Sequence, residues 1–257
     1  AGRNQMLDIY QAPPQPMQNC DFGGSVRPED IPAIRDLALF RDMKEQNFRD
    51  LVTAAYVQTF PPQVDLTTQG EHSDFLHIVF SGSVELYANW NGRETSMATV
   101  RPISTFILAA TIKDAPYLMS SRTAEKSRII MLPSTNVRAV FEQDNGFARA
   151  VVTELAQCYR AVVKTSKNLK LRTSIERVAN YFLRCHRHEG GALQFTLQME
   201  KRRLASLLGM TPENLSRAIK ALRAYGVEVD GETVTITDLA DLERFAKPSP
   251  LIDDYST

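Results

Sequence analysis

Leu204-Ala205-Ser206-Leu207-Leu208-Gly209-Met210-Thr211-Pro212-Glu213-Asn214-Leu215-Ser216-Arg217 holds the end of one helix, a glycine turn and the start of another. The first helix is predicted over residues 199–208, and Gly209 suits the left-handed position just past its end. Thr211 reads as an N-cap and Pro212 as the first residue of a second helix reaching to about residue 225. Downstream, Asp230-Gly231 turns a short hairpin over residues 226–237. Upstream, Thr173 and Glu176 make a capping box for a helix carrying Ile175, Val178, Phe182 and Leu183. These parts predict a winged helix-turn-helix over residues 170–240, followed by a C-terminal tail over 241–257.

Glu213, Ser216 and Arg217 stand at i, i+3 and i+4, so they share one face near the start of the second helix. Arginine can fork onto guanine O6 and N7, glutamate can accept from cytosine N4, and serine can serve either kind of base. Arg202, Arg203, Thr211 and Lys220 are cast as phosphate contacts, which position a duplex without specifying it. Plainer readings stand beside these: Glu213 as a carboxylate favoured at a helix start, Arg217 as a solvated or phosphate-bound arginine. Charge points the same way as the motif. The 30 basic and 30 acidic residues cancel overall, yet residues 169–226 hold 11 basic against 4 acidic, as a surface for a polyanion would.

Upstream of this block a long helix is predicted over residues 145–169. Val151, Leu155, Cys158, Val162, Thr165 and Leu169 recur at alternating steps of four and three, which is a heptad seam. Val151, Leu155, Cys158 and Val162 are expected to pair with a second copy about a two-fold axis; the alternative is packing on the helix's own domain. Residues 28–144 form the remaining domain. Helical spacing over 28–37 and 42–56 gives way to short β-rich runs at 75–80, 84–90 and 94–100. They are separated by Gln69-Gly70-Glu71, Ser81-Gly82-Ser83 and Asn91-Gly92-Arg93, and together they predict an antiparallel β-roll. The Gln-, Pro- and Asn-rich residues 1–27 read as a flexible arm.

A length of 257 residues suits two domains, and 43% hydrophobic with 23% charged residues is ordinary globular composition. No apolar run nears the ~18–20 residues that span a bilayer, and no signal pattern opens the chain, so no membrane is expected. Cys20, Cys158 and Cys185 are too few and scattered for a disulfide framework, which suits a cytoplasmic protein.

The order of parts resembles the CRP/FNR transcription regulators, over about residues 30–240. Gln69-Gly70-Glu71 with Phe75-Leu76-His77-Ile78-Val79-Phe80-Ser81-Gly82-Ser83-Val84 is similar to that family's β-roll signature, and the stretch 204–217 is similar to its helix-turn-helix. The resemblance implies an α+β fold: a cyclic-nucleotide-binding-like jelly roll, a long dimerisation helix and a winged helix-turn-helix. It implies a homodimer that binds double-stranded promoter DNA, works with RNA polymerase as an activator and is not an enzyme. Glu213-x-x-Ser216-Arg217 resembles the FNR branch, which implies a TTGAT-like inverted repeat. Phe106-Ile107-Leu108-Ala109-Ala110 is similar to the FtrB-type subfamily.

Departures from the family are as informative. Members that bind cyclic AMP carry Gly-Glu-Leu and, later, Arg-Ser/Thr; the corresponding positions here read Phe106-Ile107-Leu108 and Tyr117-Leu118. A buried phosphate without a cationic or amide cradle is costly, so no cyclic nucleotide is expected. One N-terminal cysteine, Cys20, cannot hold an iron–sulfur cluster that takes four thiolates. What remains is an apolar effector pocket lined by Phe106, Ile107, Leu108, Tyr117 and Leu118, or the same residues as plain filled core. Haem with His77 or His72 as axial ligand, and a thiol switch at Cys158 or Cys185, are the alternatives within a regulator. Cys185-His186-Arg187-His188 has too few ligands to close a metal sphere. From another class, a cupin-type metal enzyme is the rival, though His72 and His77 lack the close His-x-His spacing.

Overall fold

The computed structural model describes residues 24–197 and 199–254. The expected arm lies outside the described residues up to 23, with Cys20. Its last residues are not an arm: Gly24 bridges Val57 and Val26 is buried in the core.

Two short helices, α1 (Ile31–Arg35) and α2 (Glu45–Thr53), precede eight strands: β1 (Tyr56–Phe60), β2 (Asp65–Thr67), β3 (Phe75–Ser81), β4 (Val84–Trp90), β5 (Arg93–Val100), β6 (Ser104–Phe106), β7 (Ser120–Thr123) and β8 (Ser127–Pro133), with α3 (Leu108–Lys113) between β6 and β7. The strands make two antiparallel sheets in the orders β1-β8-β3-β6 and β2-β7-β4-β5. Strand alternation explains how they layer. In β3, Leu76 and Ile78 point to the helices and join Phe40, Phe48, Leu51 and Phe147, while Val79 faces the roll interior with Val84, Leu86, Phe106 and Ile129. The β3–β4 turn needs Gly82: its φ is +82°, and a Cβ would sit 2.3 Å from Ser127 Oγ.

After α4 (Ser134–Gln143) comes α5 (Asn145–Leu171), 27 residues long. Asp144 caps it, accepting from Phe147 N at 3.0 Å, and ties in α2's start through Lys44 N and Asn47 at 2.8 Å. Burial raises the Asp144 pKa, but these donors more than offset it and the net shift is downward. Along α5 the apolar residues divide. Val151 is fully buried in the N-terminal core and Leu155 packs against it, whereas Val152, Tyr159 and Val162 are 61%, 70% and 66% exposed. Of the four residues expected at the seam, Val151 is thus buried in the core of its own chain, Leu155 packs against that core, and Cys158 and Val162 are exposed.

The C-terminal domain comprises α6 (Ser174–His188), β9 (Gln194–Thr196), α7 (Lys201–Leu207), α8 (Pro212–Ala221), β10 (Val227–Asp230), β11 (Thr233–Ile236) and α9 (Leu239–Ala246). The Thr173–Glu176 capping box starts α6 with both bonds formed. The wing has a third strand, β9, which pairs with β11. Residues 241–257 are no loose tail as far as they are described. Leu242 and Ala246 of α9 are buried in this domain's core. Then α10 (Pro250–Asp253) lies back on α5: Arg172 donates to both Asp253 carboxylate oxygens at 2.6 and 2.7 Å, and Lys164 donates to the Asp254 carbonyl.

Candidate nucleic-acid interface

The second helix of the motif, α8, separates its faces cleanly. Leu215 and Ala218 are buried on α6 and α7, while Glu213, Asn214, Ser216, Arg217 and Lys220 are exposed. The Thr211 hydroxyl accepts from Asn214 N at 3.2 Å, so this residue is the N-cap whatever else it touches. Glu213's own backbone N–H, the Thr211 hydroxyl and the Arg217 charge hold its carboxyl below the usual carboxylate range, so it is an acceptor. Ser216 Oγ donates to the Pro212 carbonyl at 3.0 Å. Arg217 Nη2 donates to Asn214 Oδ1 at 3.0 Å, which brings into the group a residue that sequence reasoning missed. Asparagine is the residue type that forks onto adenine, and its exposure beside Arg217 was the available signal.

The four expected phosphate residues do not stay together. Arg202 and Lys220 are exposed. Arg203 is not turned outward: its Nε donates to Glu85 Oε1 at 3.1 Å and its Nη2 lies 2.7 Å from Oε2. In this arrangement it is a contact to the β-roll, because a buried carboxylate holds it.

Behind α8 the motif is fastened to the long helix. Gly209, with φ +63°, lets the turn approach so closely that a Cβ would meet Leu169 Cδ2 at 2.5 Å. Arg177 donates to the carbonyls of Leu208 at 2.9 Å, Gly209 at 3.3 Å and Arg172 at 2.8 Å, joining the turn to the end of α5.

The five residues expected to line an effector pocket are not brought to one cavity. Leu108 lies in the helical core, Phe106 in the roll interior with Ile107 against it, Tyr117 is buried, and Leu118 is 85% exposed. Burial of Phe106 and Leu108 in separate clusters makes them core. The two histidines weighed as haem ligands have different surroundings. His72 places Nδ1 3.2 Å from Asp74 and Nε2 3.3 Å from Asp114. His77 stacks on Phe106 at 5.1 Å and meets Phe75 edge-on, with Nδ1 buried and without a hydrogen-bond partner. Burial lowers its pKa from 6.5 to about 4, against an opposing bond to the Phe75 backbone, so it is neutral at pH 7. Both thiols are disfavoured as thiolates: burial and Glu154 raise Cys158, and burial raises Cys185. Among the described residues no cluster of His, Cys, Asp and Glu suits a metal ion.

Two sequence families match, the cyclic nucleotide-binding domain over residues 57–144 and the Crp-like helix-turn-helix domain over residues 176–245. They fall on the β-roll and on the winged domain, in the order of one kind of protein. The chain belongs to the CRP/FNR superfamily. It is similar to the CRP-like cAMP-activated global transcriptional regulator of Mycobacterium tuberculosis, 25% identical over 194 residues, which is 73% of this chain and 87% of that protein. It is also similar to potassium channel KAT1 of Oryza sativa subsp. japonica, 26% identical over 145 residues; that match takes in 56% of this chain but only 19% of the channel. Among solved structures, a protein from Silicibacter pomeroyi described as a candidate cAMP-binding regulatory protein has a TM-score of 0.53 and 26% identity, covering 85% of this chain and 99% of the other. Membership in the CRP/FNR superfamily makes the chain a transcription regulator with a DNA-binding helix-turn-helix, and displaces the cupin-type enzyme. No helix among the described residues is long and apolar enough to cross a membrane.

Proposed function

We propose that this CRP/FNR regulator works as a homodimer that reads a TTGAT-like inverted repeat in double-stranded promoter DNA, under a signal other than a cyclic nucleotide. The reading face of α8 carries the proposal: Glu213, Asn214, Ser216 and Arg217 are exposed together around a buried Leu215. Support for the dimer comes from α5, where Val152, Tyr159 and Val162 stand in solvent on a helix otherwise packed by its ends. A two-fold pair of such regulators puts two reading helices into successive major grooves, about 10 base pairs apart. Bound to a promoter, the dimer works beside RNA polymerase, in the cytoplasm where the chromosome lies.

The Mycobacterium and Silicibacter relatives carry cAMP in their names, so the contrast rests on residues. Phe106-Ile107-Leu108 and Tyr117-Leu118 offer no cation for a cyclic phosphate. The arginines beside that segment are engaged elsewhere: Arg138 on Asp114 at 3.0 Å, Arg122 on Glu85 and Glu94 at 2.9 and 2.6 Å. The FtrB-type likeness rests on residues 106–110 and fits an effector that is not a cyclic nucleotide. The test is selection of binding sites from a random duplex pool at one fixed salt concentration, with and without cyclic AMP. An inverted repeat enriched equally in both arms is expected; direct repeats, or enrichment only with the nucleotide, would overturn the reading.

A further inference from the structure

Between the two domains lies a cavity of about 480 Å³, lined from β5, α6, β9 and the end of α7. One wall is a helical stripe. Tyr181, Arg184, Cys185 and His188 stand at i, i+3, i+4 and i+7 on α6, so all four face the cavity. Phe195 and Leu197 make its floor and are 7% and 4% exposed; Phe182 holds Phe195 edge-on at 6.3 Å. Met199 and Leu207 close the apolar side, and Thr99 and Arg101 come across from the β-roll.

Two guanidiniums converge on one phenol. The Arg184 guanidinium carbon lies over the Tyr181 ring, 5.3 Å from its centroid. Burial, and then the bonded Cys185, push the Tyr181 pKa well above its ordinary value, while the charges of Arg184 and Arg101 oppose that. Arg184 from one domain and Arg101 from the other therefore stand close enough to act on the same hydroxyl. Among the described residues that line the cavity, Glu189 is the one acid. A guanidinium has five N–H donors, so each arginine can take a ligand carboxylate alongside the partners it already has. The carboxyl end of α6 is a negative pole, which Arg187 of its last turn offsets. An anion is therefore directed to the Arg101 side and away from the helix end. A second cleft of about 290 Å³ shares Thr99, Arg101, Met199 and Leu207 but is walled by Ser83, Ser96 and Glu125, so a hydrocarbon body belongs with Phe195 and Leu197 instead.

We propose that this cavity is a binding site for an amphipathic monocarboxylate: Arg101 and Arg184 take the carboxylate, and Phe195, Leu197 and Met199 take the hydrocarbon body. Its size and its mostly apolar lining with a few convergent polar groups are those of a small-molecule site. The site is separate from the β-roll interior, where Phe106 and His77 are packed together, and binding there is independent of the DNA-reading role of α8. A dicarboxylate would set its second anionic group unpaired against the apolar floor, which is costly. An alcohol of the same length would keep the apolar contacts and lose the charge-assisted bonds.

The test uses the full chain without DNA, with decanoate as the probe. Calorimetry should show one decanoate bound per chain, and decan-1-ol at least about 10-fold weaker. Arg101→Gln should bring decanoate down to the level of the alcohol; Arg101 is exposed just past a strand end, so the change leaves the core intact. Thr99→Trp, at an exposed strand position, fills the cavity and should abolish binding of both probes. A second readout locates the ligand. Saturating decanoate should slow alkylation of Cys185 by N-ethylmaleimide several-fold and leave alkylation of Cys158 on α5 unchanged, both followed by peptide mass. No binding, equal affinity for acid and alcohol, binding unchanged in either variant, or equal protection of the two thiols overturns the proposal.

Discussion

A neutral imidazole sealed between two phenyl rings is a poor place for a proton, and His77 sets a limit on stability at low pH. Its folded pKa of about 4 lies below the ordinary 6.5. Above pH 6.5 neither the folded nor the unfolded chain holds that proton, so His77 adds no slope there. Below it the unfolded chain takes up a proton that the folded chain refuses until about pH 4, so stability falls across that window as pH falls. Wild type should lose about 2 kcal/mol from this group between about pH 7 and about pH 5, measured by urea denaturation, whereas His77→Phe should lose none of that share. Equal pH slopes in the two proteins would place the titration elsewhere. On the reading face, Arg217→Ala should cost roughly 1–3 kcal/mol per half-site and relax the preference at one guanine, while Arg202→Ala should weaken all sequences alike and reduce the salt slope by about one. Selection on both variants distinguishes them; an unchanged base preference in Arg217→Ala would make that residue a phosphate clamp. The trio was legible in sequence because helical spacing maps directly onto a face. Asn214 was missed because an asparagine at a helix start has a structural use of its own. The pairing of Arg203 with Glu85 was not legible because the two are 118 residues apart, and no local pattern encodes an ion pair at that range.

Helix α5 shows what periodicity gives and what it leaves open. The three-four repeat correctly marks a helix with an apolar stripe, but Val151 and Val152, and again Val162 and Val163, are adjacent apolar pairs, so the phase of the stripe is ambiguous in sequence. Packing settles it for one member: the fully buried Val151 belongs to the core that Phe40, Phe48 and Phe147 build at the helix start. The tail was misread for a related reason. Its 17 residues show no clear apolar period; Leu242 and Ala246 are buried in the domain core, and Asp253 is held by Arg172, both 8% exposed, a pair that is again distant in sequence. The corrected phase makes a prediction that the first one would not. Tyr159→Asp, at a site 70% exposed in the single chain, should leave the monomer's melting temperature nearly unchanged. It should raise the dimer dissociation constant by at least about 100-fold, the equivalent of roughly 3 kcal/mol for burying an unpaired charge. Val151→Asp should instead unfold the N-terminal domain. Ultracentrifugation and thermal melts read the two outcomes separately, and a Tyr159→Asp protein still dimeric at nanomolar concentration would exclude the exposed stripe as the seam.

At the scale of the whole chain, the order of domains was readable because each part has a local signature: glycine turns for the roll, a repeat for the long helix, a cap and a glycine for the reading motif. The joints between parts have none, and they decide how one domain moves another. A helix of 27 residues is about 40 Å long, stiff enough to carry a rotation from the roll to the DNA-binding domain if its far end is fastened there. Leu169 against Gly209 and Arg177 across the carbonyls of Arg172, Leu208 and Gly209 make that fastening. These bonds of Arg177 go to backbone carbonyls and not to the side chains of Glu213, Ser216 or Arg217, so its removal separates positioning from contact. Arg177→Ala strips several charge-assisted bonds, at a cost of about 1.5–3 kcal/mol each at most, and should lower the melting temperature of the C-terminal domain without dissociating the dimer. Non-specific duplex binding depends on phosphate contacts that this change does not remove, and should keep its affinity and salt slope. Operator binding requires two reading helices held at a fixed separation and angle, and should weaken by about 10-fold or more. Affinity measured on operator and scrambled duplexes at one salt concentration gives the comparison. Equal losses on both duplexes would mean that Arg177 supports only the stability of its own domain, and that the long helix does not set the spacing of the reading helices through this joint.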